Sequence, residues 1–346
     1  MTVDTPRPSR FWLYAPFVIF GLLAAAYSAY WFWMRGELDK GIDAWIAEQR
    51  AAGNIVEYSE KKLAGYPYRF ALSVSEPRFA DRSNGVDWTG QELQLIMQPW
   101  NFYHVIGRSP GRNRFDLRGE EPITAMLSSK SVASLSWTDT HIERFSISLH
   151  DSDIILSDGP IELEEFSLSW GTPREDLSKI RLAVDASSIS TPSVPESISW
   201  LGNTVDDLAL RVEFTNVASF LARSNPYLPN PTDTDAEPSL DLAQLLINWG
   251  PVHLGAKGDI RLPAQSCTVD GIINIRLDEP DPLIGALRNA GQLTDEIETG
   301  ISAVATVSEN GGFAPITFRE GDITFLGQAI AALPQYCGET APLPAN

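Results

Sequence analysis

From Phe11 to Met34 the chain runs FWLYAPFVIFGLLAAAYSAYWFWM, 24 residues without a charge. About 20 apolar residues let an α-helix cross the hydrocarbon core of a bilayer, so the pattern predicts a transmembrane helix over 11–34. Phe11, Trp12 and Tyr14 crowd one end, and Tyr30, Trp31, Phe32 and Trp33 the other. Aromatic rings with a polar edge favour the headgroup level. Pro16 falls in the first two turns, where a missing N–H costs least. Arg7 and Arg10 precede the run; Arg35 follows it, but Glu37, Asp39, Lys40 and Asp43 come next, so the asymmetry is small. With the short N-terminus it puts a tail, 1–10, in the cytoplasm and the rest of the chain across the membrane. A cleaved signal peptide is the rival reading, with small residues at Ala24–Ala26. The apolar run continues past them through YWFWM, which favours an uncleaved anchor.

The rhythm then changes. Leu38, Ile42, Trp45 and Ile46 form one stripe of a helix, which predicts an amphipathic helix over 35–56 packed on the body. Gly53 and Asn54 can end it, because both tolerate positive φ. Next comes LAGYPYRFALSV, 63–74. Pro67 pushes Tyr66 into extended geometry. Tyr66, Tyr68, Phe70, Leu72 and Val74 then alternate with Pro67, Arg69, Ala71 and Ser73, the period of a strand. The stretch reads as a helix-to-strand junction, with Arg69 on the solvated face.

The period of two recurs over most of the remaining chain. Leu93, Leu95 and Met97 carry it, as do Phe145, Ile147 and Leu149, and Leu208, Leu210, Val212 and Phe214. Its longest run is Val252 to Leu262. Ile161 and Leu163 change phase near Glu164 and Glu165 before Phe166, Leu168 and Trp170, which predicts a β-bulge. Helical spacing is confined to 37–52, to 239–249 (Leu242, Leu245, Leu246, Trp249) and to about 281–302. Residues 225–238, NPYLPNPTDTDAEP, have no apolar period and four prolines. The predicted class is therefore mainly β: a transmembrane helix and an amphipathic helix, then extended curved antiparallel sheets in two lobes, with few short helices. The lobes would cover 57–225 and 239–338, joined by a Pro-rich linker over 226–238 and followed by a tail over 339–346.

Composition changes this picture little. The 346 residues are 43% hydrophobic and 21% charged, an ordinary globular balance. The formal charge of −19, with no Lys/Arg cluster, argues against a nucleic-acid partner. Cys267 and Cys337 bracket the last strands, and an even count suits a disulfide in an oxidising compartment. Such a bridge would close a loop of about 70 residues and stabilise by up to about 4 kcal/mol. Two buried thiols are the alternative.

The search for chemistry finds lures but no constellation. GRSPG, 107–111, fits the G-x-S-x-G of a nucleophile elbow. The residue after Ser109 is Pro110, which has no N–H for an oxyanion. A turn is the reading. Asp151, Asp153 and Asp158 are spaced like the start of a calcium loop, but Ile155 occupies a ligand position, so a turn is favoured. The four histidines, His104, His141, His150 and His253, show no metal spacing. No catalytic group, metal or cofactor is expected.

Four segments resemble domain-of-unknown-function family 2125: GYPYRF at 65–70, PWNFYHVIG at 99–107, INWGPVHLGAKGDIRL at 247–262 and PITFREGDITFLGQ at 315–328. The likeness implies an inner-membrane anchor and a β-rich body in the periplasm of Gram-negative bacteria. It marks Gly65, Tyr66, Pro67, Tyr68, Arg69 and Phe70 as a structural family motif, with Tyr66 and Tyr68 where the family usually has Phe. The C-terminal part is also similar to AsmA-type envelope proteins, which implies lipid traffic. Two functions are expected on this basis. One is a binding module that holds or passes an apolar ligand such as lipid. The other is an envelope scaffold that binds protein partners and no small ligand.

Overall fold

The computed structural model describes residues 11–119, 122–127, 130–156, 159–216, 237–261, 268–309, 311–325 and 327–333. Among them lie one long helix, one antiparallel sheet of twenty strands, and two short helices near the C-terminal end. The expected β-rich class is borne out. The proposed linker falls almost wholly outside the described residues, as do Cys267 and Cys337.

Helix α1 (Phe11–Ala51) is a single element, not a membrane helix followed by a separate amphipathic one. Nothing in WMRGELDK breaks helical geometry, because Gly36 is isolated and the charges face outward. Its first half is exposed: Phe17 and Phe20 are 74% and 73% accessible. This half is long and apolar enough to cross a membrane. The second half packs on the sheet.

The sheet begins as short strands that continue one another in pairs. These are β1 (Ile55–Glu57) with β2 (Glu60–Ala64), β3 (Phe70–Ser75) with β4 (Arg78–Asp81), and β5 (Val86–Gly90) with β6 (Glu92–Gln98). Next come β7 (Asn101–Arg108) with β8 (Asn113–Leu117), and β9 (Ile123–Leu127) with β10 (Val132–Trp137). β3 pairs β6 while β4 pairs β5, and the same crossing repeats down to β11 (Ile142–Leu156), which pairs β10 along one half and β9 along the other. Each pair is thus one long bent strand of an up-and-down meander. The meander continues through β12 (Gly159–Gly171), β13 (Lys179–Ser190), β14 (Thr204–Thr215), β15 (Ser239–Trp249), β16 (Val252–Arg261) and β17 (Asp270–Asp278). It ends with β18 (Ala314–Arg319), β19 (Asp322–Phe325) and β20 (Gln328–Ala332). β14 pairs β15 directly, so the two predicted lobes share one sheet.

Two sequence readings are corrected here. Residues 239–249 are strand β15, not helix. Its pairings slip between Leu242 and Leu245, and the slipped alternation imitates helical spacing. The phase change at Glu164–Glu165 is real, but it is not a bulge, because the register of β12 with both neighbours is unbroken there. Adjacent strands change phase in the same place. His150, Glu165, Ser187 and Asp207 face one another in successive strands, each beside a second polar residue: Asp151, Glu164, Ser188 and Asp206. Asp151 and Ser188 have φ of 44° and 49°. The equal slips cancel from β11 to β14, whereas toward β15 the slip at Asp206 shifts the register, and together they leave a crease across these strands. It runs on to Glu76 (φ 49°), whose N–H bonds the Gln91 carbonyl at 2.8 Å where β3 turns into β4. Leu149, Leu163 and Ala186 flank the crease and are buried outside the helix clusters.

Helices α2 (Pro280–Asn289) and α3 (Asp295–Glu309) cover the far end. Leu283, Leu287 and Val304 pack on Leu277 and Ala314. The Leu277 N–H donates to Ser308 Oγ at 3.0 Å, which ties α3 to β17.

At the opposite margin Asp81 closes the turn between β4 and β5. Its carboxylate accepts from the N–H groups of Ser83 and Asn84, at 2.9 and 3.1 Å, and from their side chains at 2.6 and 2.7 Å. Hydrogen bonds to the charged form, first those from the Ser83 and Asn84 side chains, lower its pKa to about 2. The folded value lies below the ordinary one, so the stabilisation is complete above the usual carboxylate range and is lost as pH falls through about 2. The melting difference between the native protein and Asp81→Ala is therefore expected to be constant above about pH 5 and to shrink steadily toward pH 2. A difference that grew on acidification would contradict this turn.

Candidate functional site

The GYPYRF motif is a hairpin turn. It joins β2 to β3, so it is not the helix-to-strand junction expected from alternation; strand geometry starts only at Phe70. Gly65 takes φ of 110°, and the Arg69 N–H returns to the Gly65 carbonyl at 3.1 Å. A Cβ at Gly65 would stand 2.6 Å from the Arg69 carbonyl oxygen, so no other residue fits without moving the backbone. The turn contains the cis Tyr66–Pro67 bond.

The turn grips α1. Trp31 is 2% exposed and stacks on Phe70, also 2% exposed, with ring centroids 5.1 Å apart. Tyr66 meets Trp31 edge-on at 5.4 Å and stacks on Phe32 at 5.4 Å. Tyr66 Oη and Ser28 Oγ lie 2.6 Å apart, and the Tyr27 hydroxyl donates to the Pro67 carbonyl. Further along, Arg35 Nε donates to the Leu63 carbonyl at 3.0 Å, and Lys61 meets Asp39 and Asp43 at 2.9 and 2.5 Å. Near the helix end, the Arg50 guanidinium donates to the Val56 carbonyl. The contacts 27 to 67, 35 to 63 and 50 to 56 run in opposite directions. From 27 to 50 the helix rises about 35 Å, and 56 to 67 spans about 36 Å of strand. The two are matched over their full length.

Of the predicted stripe, Leu38 and Ile42 pack in this cluster, Ile46 is buried and Trp45 stacks on Phe79. Sequence reasoning missed Trp31 and Tyr27, whose place in the uncharged run reads as membrane belt. The signal was available: 27, 31, 38 and 42 continue the same helical stripe back into that run. Tyr68 is 75% exposed. Arg69 is exposed, as expected.

The second feature is the sheet's dry face. Leu72, Leu95, Gly107, Ala133, Ile147, Leu168, Val184, Leu210 and Leu245 follow one another by register across nine strands. The α1 cluster covers one end of this face, and α2 with α3 covers the other. Between them Ile147, Leu168, Val184 and Leu210 are half-buried. The packed cluster there is Ile180 with Trp170 and Phe214, all from adjacent strands β12, β13 and β14.

The opposite face is wet. It holds a trough of about 1070 Å³ lined by Ser134, Ser146, Ser169, Arg181, Arg211 and Glu213, among others. Several charges at it are engaged: Arg211 forks onto Asp185 at 2.7 and 2.8 Å, while Arg181 and Lys179 share Glu213 at 2.8 and 2.5 Å. Bonds from Lys179 and then Arg181 hold the Glu213 carboxyl below its ordinary pKa.

The remaining candidates are structural in place. Ser109 of GRSPG sits in the corner between β7 and β8, 2.8 Å from the Glu92 carbonyl and 2.5 Å from Asn113 Oδ1. Asp151 pairs with Lys130 at 2.9 Å. Asp158 lies outside the described residues. His253 Nδ1 lies 3.2 Å from Asn248 Oδ1. Among the described residues no group of three or more His, Cys, Asp or Glu could hold a metal ion.

A family model described as an uncharacterized protein conserved in bacteria (DUF2125) matches residues 31–334. The match opens at Trp31, the first deeply buried residue of α1 among those whose burial is described. No curated protein and no solved structure matches the chain. None of these comparisons shows the expected likeness of the C-terminal part to AsmA-type proteins.

Proposed function

This chain belongs to the bacterial family DUF2125, and from that premise we propose that it is a membrane-anchored β-sheet module that holds or passes an apolar ligand such as lipid along the dry face of its sheet. The first half of α1 is the anchor. The short N-terminus with Arg7 and Arg10 before the anchor supports a periplasmic position for the sheet at the inner membrane. One observation carries the reading. Across β11 to β14 a file of Ile, Leu and Val is left half-buried between two helical covers. Acyl chains are one way to remove that area from water, at about 25 cal/mol per Å². The paired charges of the opposite trough offer an apolar ligand nothing comparable.

Leu168 and Ser169 are neighbours in β12 on opposite faces, and this makes the test. Native mass spectrometry of the full chain, washed in detergent, is expected to show bound lipid. Leu168→Lys puts a charge on the dry face and is expected to abolish the adduct, whereas Ser169→Lys is expected to keep it. An empty native protein under several extraction conditions would overturn the reading and favour a scaffold without ligand. Equal loss in both variants would place the lipid elsewhere.

A further inference from the structure

The sheet is tied to α1 at a height that lies inside the uncharged run. Tyr27 donates to the Pro67 carbonyl, and Tyr30 donates to the Pro99 carbonyl at 2.9 Å. Arg35 is the first charge beyond the run. At 1.5 Å per residue, Tyr27 and Tyr30 stand about 12 Å and about 7 Å before it along the helix axis. Tyr30 opens the aromatic run Tyr30–Trp33, the belt that marks where hydrocarbon gives way to headgroups. Two turns of the sheet, 65–69 and 98–101, are therefore fastened at the level where hydrocarbon gives way to headgroups.

The side chains at this level suit it. Phe32, Trp33, Tyr66, Tyr68 and Trp100 are 55%, 60%, 48%, 75% and 64% exposed. Large aromatics so accessible, gathered at one end of a body whose net charge is acidic, need a partner that accepts an apolar ring with a polar edge. The bilayer interface is that partner. The neighbouring hairpins farther along the sheet end in polar residues, Thr138–Thr140 and Arg174–Asp176, so among the described residues the aromatic contact lies on the strands beside α1.

We infer that the sheet docks on the bilayer through the turns bearing Tyr68 and Trp100, which enter the interface and place the strand ends of the α1-proximal sheet at the membrane surface. The occupant is a lipid surface, held next to its own anchor at high effective concentration. The inference rests on α1 being a membrane anchor, and the experiment separates the two.

Single cysteines would be placed by Phe20→Cys, Tyr68→Cys, Trp100→Cys and Ile155→Cys in a Cys267→Ser, Cys337→Ser background, with the full chain in nanodiscs of zwitterionic and anionic phospholipid. All four sites are exposed, so the labels disturb no packing. Spin-label accessibility to oxygen over a water-soluble nickel chelate is expected to be several-fold higher at 68 and 100 than at 155, and highest at 20. In the unmodified cysteine background, quenching of tryptophan emission by lipids brominated near the headgroup is expected to fall in Trp100→Phe. Hydrocarbon values at 20 with aqueous values at 68 and 100, and unchanged quenching in Trp100→Phe, would overturn the docking and leave the anchor standing. Aqueous values at 20 as well would overturn the anchor.

Discussion

Trp31→Ala is expected to loosen the whole α1-to-sheet contact, at a cost of about 3–5 kcal/mol, the range for truncating a buried tryptophan. The reason is its place. Trp31 is the centre of a ring set in which Phe70, Tyr66 and Phe32 lie at 5.1, 5.4 and 5.1 Å. Aromatic pairs add about 0.5–1.5 kcal/mol each beyond area burial. The cavity cannot collapse, because Phe70 is held on its other side by Phe102 and its strand is fixed between β2 and β6. Thermal unfolding of the full chain in detergent should fall by roughly 6 °C or more, at about 2 °C per kcal/mol for a body this size. Trp31→Phe should behave much better than alanine. It keeps most of the ring and removes an indole N–H that is buried with no hydrogen-bond partner among the described residues. Phe20→Ala in the same helix is the control: at 73% exposure it should leave the midpoint unchanged. If Phe20→Ala and Trp31→Ala cost the same, α1 is held by the detergent and not by the sheet.

That contact also shows where sequence reading stops. Period-two alternation located most strands, because a one-sided strand writes its parity directly into the chain: Val252, Leu254 and Ala256 face the way their spacing predicted. Parity is local, and it misleads where the phase is disturbed. In β15 the pairing slips between Leu242 and Leu245, which spaces the leucines by three and imitates a helix. At Glu164 and Glu165 the slip was visible, but its meaning depends on the equal slips at Asp151, Ser188 and Asp206 in neighbouring strands. A single slip is a bulge; a row of them is a crease. The GYPYRF motif was legible as a special segment and not as a turn. Tyr66 and Tyr68 keep the alternation while the backbone reverses at Gly65. Its partner Trp31 is distant in sequence and sits in a run that hydropathy assigns wholly to lipid. The dry face was legible as alternation; that no described helix covers it between α1 and the α2–α3 pair is a tertiary fact.

The crease makes the second large prediction, at Asn113. This side chain is 1% exposed at the first residue of β8, opposite Gly90 and Leu127 in register. Its Nδ2 donates to the carbonyls of Ser109 at 2.9 Å and Gly111 at 3.3 Å, and its Oδ1 receives the Ser109 hydroxyl. One amide thus satisfies the corner through which β7 becomes β8, and the serine of the hydrolase-like motif is one of its partners. Asn113→Ala takes the donor from two carbonyls in a dry site, while the Ser109 hydroxyl keeps the Glu92 carbonyl, at about 1–3 kcal/mol for each group left wholly unpaired. The expected cost is about 3 kcal/mol, the same at every pH where the carboxylates are ionised. Asn113→Asp is the sharper variant. It has nearly the same shape, but as a carboxylate it faces two carbonyl oxygens without a proton to give. Burial and those oxygens favour its neutral form, so its folded pKa is raised above the unfolded value. The penalty is then full above the folded pKa and is relieved as pH falls toward the unfolded one. Asn113→Asp should gain stability relative to Asn113→Ala on going from pH 7 to pH 5 in thermal melts. A constant gap between the two variants across that range would mean that water reaches the corner, and that the crease is open where the burial of Asn113 makes it closed.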